Sequence, residues 1–481
     1  MIYDLLIVGG GINGAAIARE AALNGWSVLL VERDDLANAT SSKSSGLIHG
    51  GLRYLEQCDF RLVAEALAER ERMVNTAPHL VRPMRFVIPH INAIRPSWLV
   101  RIGLLIYDWI GGKKTLKRSR SVSRKDAAYS SPLRNFSKGF VYSDAQVDDS
   151  RLVVLNAIDA ADAGAVIMTR CSMVSAVRDA DTWTAELSTG VRVSARAMVN
   201  AAGPWVAEML QRTGVSSFQH VRLVKGSHIV VPRLYEGEHA YLLQQPDRRV
   251  VFVLPWEGMT AVGTTDVVVE RPEDAQIDQE EIRYLCNAIN ESFVRTITPD
   301  DMVSSWSGIR PLYGDSRESA QNISRDYLLE LDNEGAPILT IFGGKITTAR
   351  CLAEDAVAKI GQMLGRTVSP VTRTRPFPGG AIDDPHVYAA HVAATWPFLG
   401  DDRARRMVGA YGSLLPELLG QATGFGRAFG AGLTEIEVRW MRDREWARTP
   451  EDVLMRRSKC GVHMTDSERS EFVTWWSDNF E

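Results

Sequence analysis

Three glycines and one acid near the start of the chain have the types and spacing to hold a pyrophosphate. Gly9, Gly11 and Gly14 fall in Val8-Gly9-Gly10-Gly11-Ile12-Asn13-Gly14, and Glu32 follows eighteen residues after Gly14. Gly9 permits a tight turn, Gly11 brings bare backbone up to the phosphates, and Gly14 lets a helix lie close to a strand. Ile12 and Asn13 open that helix, so its free N–H groups and positive dipole end face the anion. Glu32 is placed to accept hydrogen bonds from an adenosine ribose. A glycine turn alone is weak evidence, but the acid at this distance makes a dinucleotide site the reading.

The elements that must position these residues can be read around them. Tyr3 to Val8 reads as a buried parallel strand, Ile12 to Gly25 as a helix stopped by glycine, and Val28 to Val31 as a second strand. Around Ala197–Trp205 a short apolar strand ends in Ala201, Ala202 and Gly203, where any larger side chain would strike a bound cofactor. A third strand breaks at Gly343-Gly344-Lys345-Ile346-Thr347-Thr348 and gives way to a helix from Ala349 to Leu364. Between these pieces lie β-formers at Gly226–Pro232, Val250–Pro255 and Met259–Val269. They predict an antiparallel sheet inserted into the nucleotide domain as the roof of a substrate cavity. Such insertions, with two later glycine-rich strand ends returning to the cofactor, favour FAD over a nicotinamide. Thr40, Ser41, Ser42 and Ser45, with Leu47, His49, Gly50 and Gly51, offer neutral donors and close backbone to pyrophosphate and ring edges, and His49 borders the flavin.

At 481 residues, 45% hydrophobic and 24% charged, the chain has the size and composition of a multidomain globular enzyme. We divide it into a discontinuous cofactor domain (1–75, 150–215 and 336–375), a substrate domain (76–149 and 216–335) and a helical C-terminal domain (376–481). A capping box is predicted at Thr434–Glu437. Trp440, Trp446, Trp475 and Trp476 read as helix-packing residues. The Arg456-Arg457-Ser458-Lys459 run reads as a solvated helix end or part of a basic membrane face. Five scattered cysteines without a C-x-x-C pair, and isolated histidines, predict neither disulfides nor a metal. No export signal is recognised, so a reduced cytoplasmic compartment is expected.

Charge is uneven. Arg95 to Lys125 carries +8 against a net −4 for the whole chain. Within it, Trp98 to Ile110 is apolar with a tryptophan near each end, and is too short to span a bilayer. Two readings stand on these residues: a helix lying on an anionic membrane surface, or a core helix followed by a basic loop. The basic residues lack interleaved stacking aromatics, which argues against nucleic acid.

A specific resemblance is carried by Thr40-Ser41-Ser42 through His49-Gly50-Gly51-Leu52-Arg53-Tyr54-Leu55, Val147-Asp148-Asp149-Ser150-Arg151-Leu152, Lys225-Gly226-Ser227-His228-Ile229-Val230 and Gly263-Thr264-Thr265-Asp266. Ser307-Gly308-Ile309-Arg310-Pro311-Leu312, Ser324-Arg325-Asp326-Tyr327 and Gly343-Gly344-Lys345-Ile346-Thr347-Thr348 complete it. Over nearly its whole length the chain resembles the FAD-dependent, quinone-linked glycerol-3-phosphate dehydrogenases. The resemblance implies a D-amino-acid-oxidase-like α/β fold: an FAD-binding Rossmann-like domain, an inserted antiparallel β substrate domain and a C-terminal α-helical domain. It also implies oxidation of sn-glycerol 3-phosphate, electron transfer to a membrane quinone, a homodimer, and a peripheral position on the inner face of the cell membrane through Trp98–Lys125. One departure stands out: Gly46 occupies a position where the family usually has lysine.

The same resemblance places Arg53, Tyr54, His228, Thr265, Arg310, Arg325 and Lys345 around the substrate. Oxidising a secondary alcohol at a flavin removes a hydride from carbon and a proton from oxygen, and arginine forks suit the phosphate dianion that must orient the substrate. His228 is the candidate base, or only a hydrogen-bond partner, with Arg53 then stabilising the developing alkoxide and Arg310 fixing the anion. The alternatives are an oxygen-using glycerol-3-phosphate oxidase, a flavoenzyme for another hydroxy acid or amine, and a flavin-binding protein without turnover.

Overall fold

Leu5, Leu6, Ile7 and Val8 are all buried, because the strand Ile2–Val8 has neighbours on both sides and cover on both faces. A computed structural model of the chain describes residues 2–55, 59–91, 95–110, 115–219, 221–313 and 326–480; Arg53 and Tyr54 are described by their backbone alone. Ile2–Val8 pairs in parallel with Val28–Val31 on one side and Arg192–Asn200 on the other. The sheet extends through Ile338–Gly343 to an antiparallel edge strand Tyr327–Asp332, and through Val28–Val31 to Val166–Met168. The hairpin Met173–Arg178 and Trp183–Leu187 joins it along Arg192–Asn200.

The helix Ile12–Leu23 buries Gly14, Ala15, Ala16, Ile17, Ala18, Ala21 and Ala22. This small-residue surface lets it sit tightly against the sheet and against the helices Asp149–Asp162 and Ala349–Met363. A buried Arg19–Asp159 pair at 2.7 Å ties the first two helices together. Gly25, at φ +76°, follows the helix end in the left-handed conformation that glycine takes without strain.

A second sheet of ten strands lies beside the first. Its order runs Val267–Val269, Val221–Val231, Met259–Gly263, Val250–Trp256, Ala240–Gln244, Val81–Pro89, Lys138–Val147 and Leu47–Ile48. Ser304–Tyr313 pairs with Val221–Val231, and Arg120–Ser123 with Lys138–Val147. Helix Gln279–Ser292 covers one face through Ile282, Leu285 and Ile289. Phe60–Thr76 packs on the other through Val63 and Leu67. The C-terminal part packs its own core of Tyr411, Leu415, Val438, Phe472 and Trp476.

Three sequence expectations need correction here. The strand Tyr327–Asp332 belongs to the cofactor sheet, because its partner is Ile338–Gly343, so the segment assigned to the substrate domain ends earlier than 335. Conversely, Leu47–Ile48 leaves the cofactor domain to pair with Gln146 and Ala145 in the second sheet. The capping box at Thr434 does not form: the Thr434 hydroxyl donates to Glu437 at 2.8 Å, and Glu437 turns to Arg406 at 2.6 Å. A charged guanidinium is a stronger partner for that carboxylate than a backbone N–H.

Candidate active site

A cavity of about 230 Å³ opens where Ile2–Val8, Val28–Val31 and Arg192–Asn200 end together, over the N-terminus of helix Ile12–Leu23. Gly9, Gly11, Ile12, Asn13, Glu32, Thr40, Ser41, Ala202, Gly203 and Gly344, all expected at the cofactor, line it. The turn is built around close backbone contact. A Cβ on Gly14 would lie 1.9 Å from the Gly9 carbonyl oxygen, and one on Gly9, at φ +113°, 2.5 Å from that of Ala201. No side chain caps the helix at Gly11, although Ser41 Oγ accepts from the Ile12 N–H at 3.0 Å. Asn13 donates to the Gly343 carbonyl at 3.3 Å, while its Oδ1 is buried without a partner among the described residues.

Glu32 accepts the N–H groups of Gly10 at 2.6 Å and Asp34 at 2.8 Å, and burial raises its pKa above the ordinary carboxylate value against the pull of those two donors. An uncapped helix end, an orphaned acceptor and an acid at the strand end fit the pyrophosphate and ribose of a dinucleotide. Arg33 and Trp205 are among the cavity residues that escaped the sequence reading. Arg33 stacks its guanidinium 4.1 Å from the Trp205 ring centroid, and Trp205 donates to Glu273 at 3.0 Å. The available signal was position: Arg33 follows Glu32, and Trp205 stands two residues after Gly203.

Of the residues expected around the substrate, His228 and Arg310 lie on the second sheet. His228 on Val221–Val231 lies opposite Gly263 on one side and Trp306 on the other. A Cβ on Gly263 would meet the imidazole at 2.2 Å, and the Trp306 ring stacks on it at 4.9 Å and 14°, so the ring is held flat. Ser45 Oγ lies 2.8 Å from His228 Nε2, and Nδ1 is buried with no partner among the described residues. Burial, then the nearby charge of Arg310, push the imidazole pKa down to about 3, so it is neutral at working pH.

Two residues along the same strand, Gly226 floors the seat of Arg310. A Cβ there would lie 2.5 Å from Arg310 Nη2. That guanidinium is tied to Asp266 at 2.5 Å and to Thr264 Oγ1 at 3.1 Å. Its charge is therefore partly matched before any ligand arrives.

Alternation along the strand sends Lys225 and Ser227 to the opposite face. Lys225 pairs with Glu281 at 2.8 Å, and Glu281 also accepts from Ser227 and from Thr265 at 2.5 Å. Thr265, expected beside the substrate, thus spends its hydroxyl in a buried network behind the sheet. Gly50 is also corrected as a cofactor donor: its N–H goes to Tyr107 Oη at 2.8 Å, where Leu67 and Tyr107 crowd its Cα. Leu47 turns its side chain into the core. Ser42 and Gly51 flank the same segment, and Thr347 accepts from the His49 N–H at 3.4 Å beside buried Thr348. Lys345 stands at the turn where Ile338–Gly343 leaves the sheet. The side chains of Arg53 and Tyr54, and all of Arg325, lie outside the described residues. Among the described residues no group of histidine, cysteine and acidic side chains is arranged to hold a metal.

Comparison with known proteins bears on both halves of the chain. Residues 4–350 match the family described as FAD dependent oxidoreductase, and residues 370–471 the C-terminal domain of alpha-glycerophosphate oxidase. The chain is 45% identical to D-erythritol 1-phosphate dehydrogenase of Brucella abortus, over 99% of this chain and 98% of that protein. It is 44% identical to aerobic glycerol-3-phosphate dehydrogenase of Escherichia coli, over 98% and 97% respectively. Among solved structures, the glycerol-3-phosphate dehydrogenase of Bacillus halodurans complexed with FAD superposes with a TM-score of 0.76 at 25% identity, covering 99% of this chain and 94% of that one.

Proposed function

This chain belongs to the FAD-dependent oxidoreductase family, and from that premise we propose that it oxidises the secondary hydroxyl of a phosphorylated polyol, taking sn-glycerol 3-phosphate to dihydroxyacetone phosphate. The observation that carries the reading is the shared face of Val221–Val231 and Ser304–Tyr313, where Arg310 and His228 sit over glycines a short way apart. FAD, when bound, supplies the acceptor for the hydride leaving C2. Gly9, Gly11, Asn13, Glu32 and Ser41 are the residues that would hold it. Arg310, steadied by Asp266 and Thr264, binds the phosphate dianion; the family resemblance is what adds Arg53, Tyr54, Arg325 and Lys345 to the substrate-binding set. His228 faces the hydroxyl. Ser45 Oγ at 2.8 Å from Nε2, with the Trp306 ring stacked on the imidazole, holds the neutral ring in one orientation. A dianion bound beside Arg310 offsets the cationic field and raises the proton affinity of the ring.

A longer phosphorylated polyol is the second reading, supported by the 45% identity to the erythritol phosphate enzyme. Anaerobic mixing separates the two. Loss of the visible flavin band is expected with sn-glycerol 3-phosphate or D-erythritol 1-phosphate, and not with unphosphorylated glycerol. Bleaching by neither phosphate would sink the assignment, and equal bleaching by glycerol would remove the role of Arg310.

The electrons then pass to a membrane quinone. What supports this is helix Ser97–Ile110, which exposes Trp98, Leu99, Ile102, Leu105, Ile106 and Trp109 and buries only Leu104 and Tyr107. Trp109 is 84% exposed. Asp108, the single acid of the Arg95–Lys125 segment, accepts from the Ser119 N–H and hydroxyl, and the segment as a whole carries +8, which favours anionic lipid. Among the described residues no helix is long and apolar enough to cross a membrane. The double variant Trp98→Glu/Trp109→Glu is expected to weaken sedimentation with phosphatidylglycerol vesicles about tenfold or more, while turnover with a soluble dye acceptor stays unchanged. Undiminished vesicle binding would place the membrane contact elsewhere.

A further inference from the structure

The Arg456-Arg457-Ser458-Lys459 run is not a solvated helix end. Arg457 is buried and sends Nη1 and Nη2 to the two carboxylate oxygens of Asp35, both at 2.7 Å, while its Nε and Nη2 also reach the Glu445 carbonyl. Arg456 Nε reaches the same Asp35 at 2.6 Å, and its other end is held by Asp452. Asp35 is fully buried and lies 421 positions from Arg456 in the chain. Lys459 continues the contact: its Nζ is 2.6 Å from Asp148 and 3.9 Å from Asp149, and Asp149 accepts the N–H and hydroxyl of Ser44 at 3.1 and 2.7 Å.

Both targets flank one segment. Asp35 stands three residues after Glu32, and the loop it anchors returns through the Ala37 N–H to the Gly10 carbonyl of the phosphate turn at 3.1 Å. Ala37, Asn38, Ala39, Thr40 and Ser41 then form a wall of the cofactor cavity. Ser44 closes the segment, next to the Ser45 that holds His228. The wall has little regular structure of its own, a single short turn at Thr40–Ser42. Its two ends are fixed by cations from the C-terminal domain.

We propose that Arg456, Arg457 and Lys459 are positioning residues that set the affinity for FAD, by holding the Asp35–Ser45 wall from the C-terminal domain. None of them lines the wall's cofactor side, so they act through Asp35 and Asp149. The inference rests on FAD as the cofactor and is independent of which polyol is oxidised.

The test is FAD titration onto apoprotein, followed by flavin fluorescence, with thermal melting of the apoprotein recorded in parallel. Arg457→Lys keeps the charge and loses the fork. Lys459→Met removes the second brace at a position nearer the surface. Each is expected to weaken FAD binding about tenfold or more, the loss of one charge-assisted hydrogen bond, in protein whose apo melting stays close to that of the parent. Arg457→Lys should show the larger change. An unchanged dissociation constant in the folded variants, or flavin loss that only accompanies loss of fold in both, would overturn the proposal.

Discussion

A Gly14→Ala protein is expected to purify colourless and to take up added FAD at least about 10²-fold more weakly than the parent. The added Cβ would lie 1.9 Å from the Gly9 carbonyl oxygen and 3.1 Å from its carbon, with the Ala201 Cβ at 3.4 Å. None of these atoms belongs to a side chain that can swing aside. Relief requires the helix to lift from the turn or the turn to open, and each moves the amides at Gly11 and Ile12 that would meet the pyrophosphate. Gly9 cannot yield, because its φ of +113° and its contact with Ala201 already fix it. Gly25→Ala is the control: it also sits at positive φ, but nothing lies within 4 Å of the added carbon. It should cost about 1 kcal/mol of stability and leave the flavin in place. The ratio of flavin to protein absorbance, with far-ultraviolet circular dichroism as the check of fold, decides the matter. A yellow Gly14→Ala protein of parental affinity would show that the dinucleotide does not use this turn.

What could be read from the sequence and what could not divide along a physical line. The glycine turn, the strands that feed it and the β-rich insertion were legible because each is signalled within about ten residues: an apolar run, a glycine at a fixed offset, a change of period. Ala197–Trp205 was legible for the same reason, as small residues closing an apolar strand. Arg456 and Arg457 were misread because a run of basic residues normally lies in solvent, and their partner Asp35 has no sequence relation to them. The Arg33–Trp205 stack is a similar case, two side chains brought together only when separate strands end at one cavity. Thr265 failed for a subtler reason. It sits inside a recognised motif, but it lies in the loop between Met259–Gly263 and Val267–Val269, and the acid Glu281 on a separate helix takes its hydroxyl on the far face. At Gly46 the sequence shows a departure from the family, and the structure gives its backbone meaning: φ is +62°, and a Cβ would press on the Val147 carbonyl at 2.7 Å.

Arg310→Met should lower kcat/KM for the phosphorylated substrate about 10³-fold while leaving FAD content unchanged. Methionine keeps most of the volume over Gly226 but removes the fork. The loss has two parts. One is the charge-assisted hydrogen bonds to the phosphate, and truncating one partner of such a pair costs about 2–5 kcal/mol, against about 1.4 kcal/mol per tenfold in rate. The other is Asp266, whose carboxylate now lies beside an incoming dianion without the guanidinium between them. This second part makes the assignment testable beyond a simple loss of activity. The double variant Arg310→Met/Asp266→Asn removes the repulsion and should recover about tenfold of the defect, chiefly in KM. Asp266→Asn alone leaves Arg310 charged but loosened, and should mainly raise KM. Steady-state turnover with a soluble dye acceptor measures all three. If the double variant is no better than Arg310→Met, the phosphate does not sit against this pair. If Arg310→Met keeps parental kinetics, the anion is held elsewhere, and the shared face of the two strands is not the substrate floor.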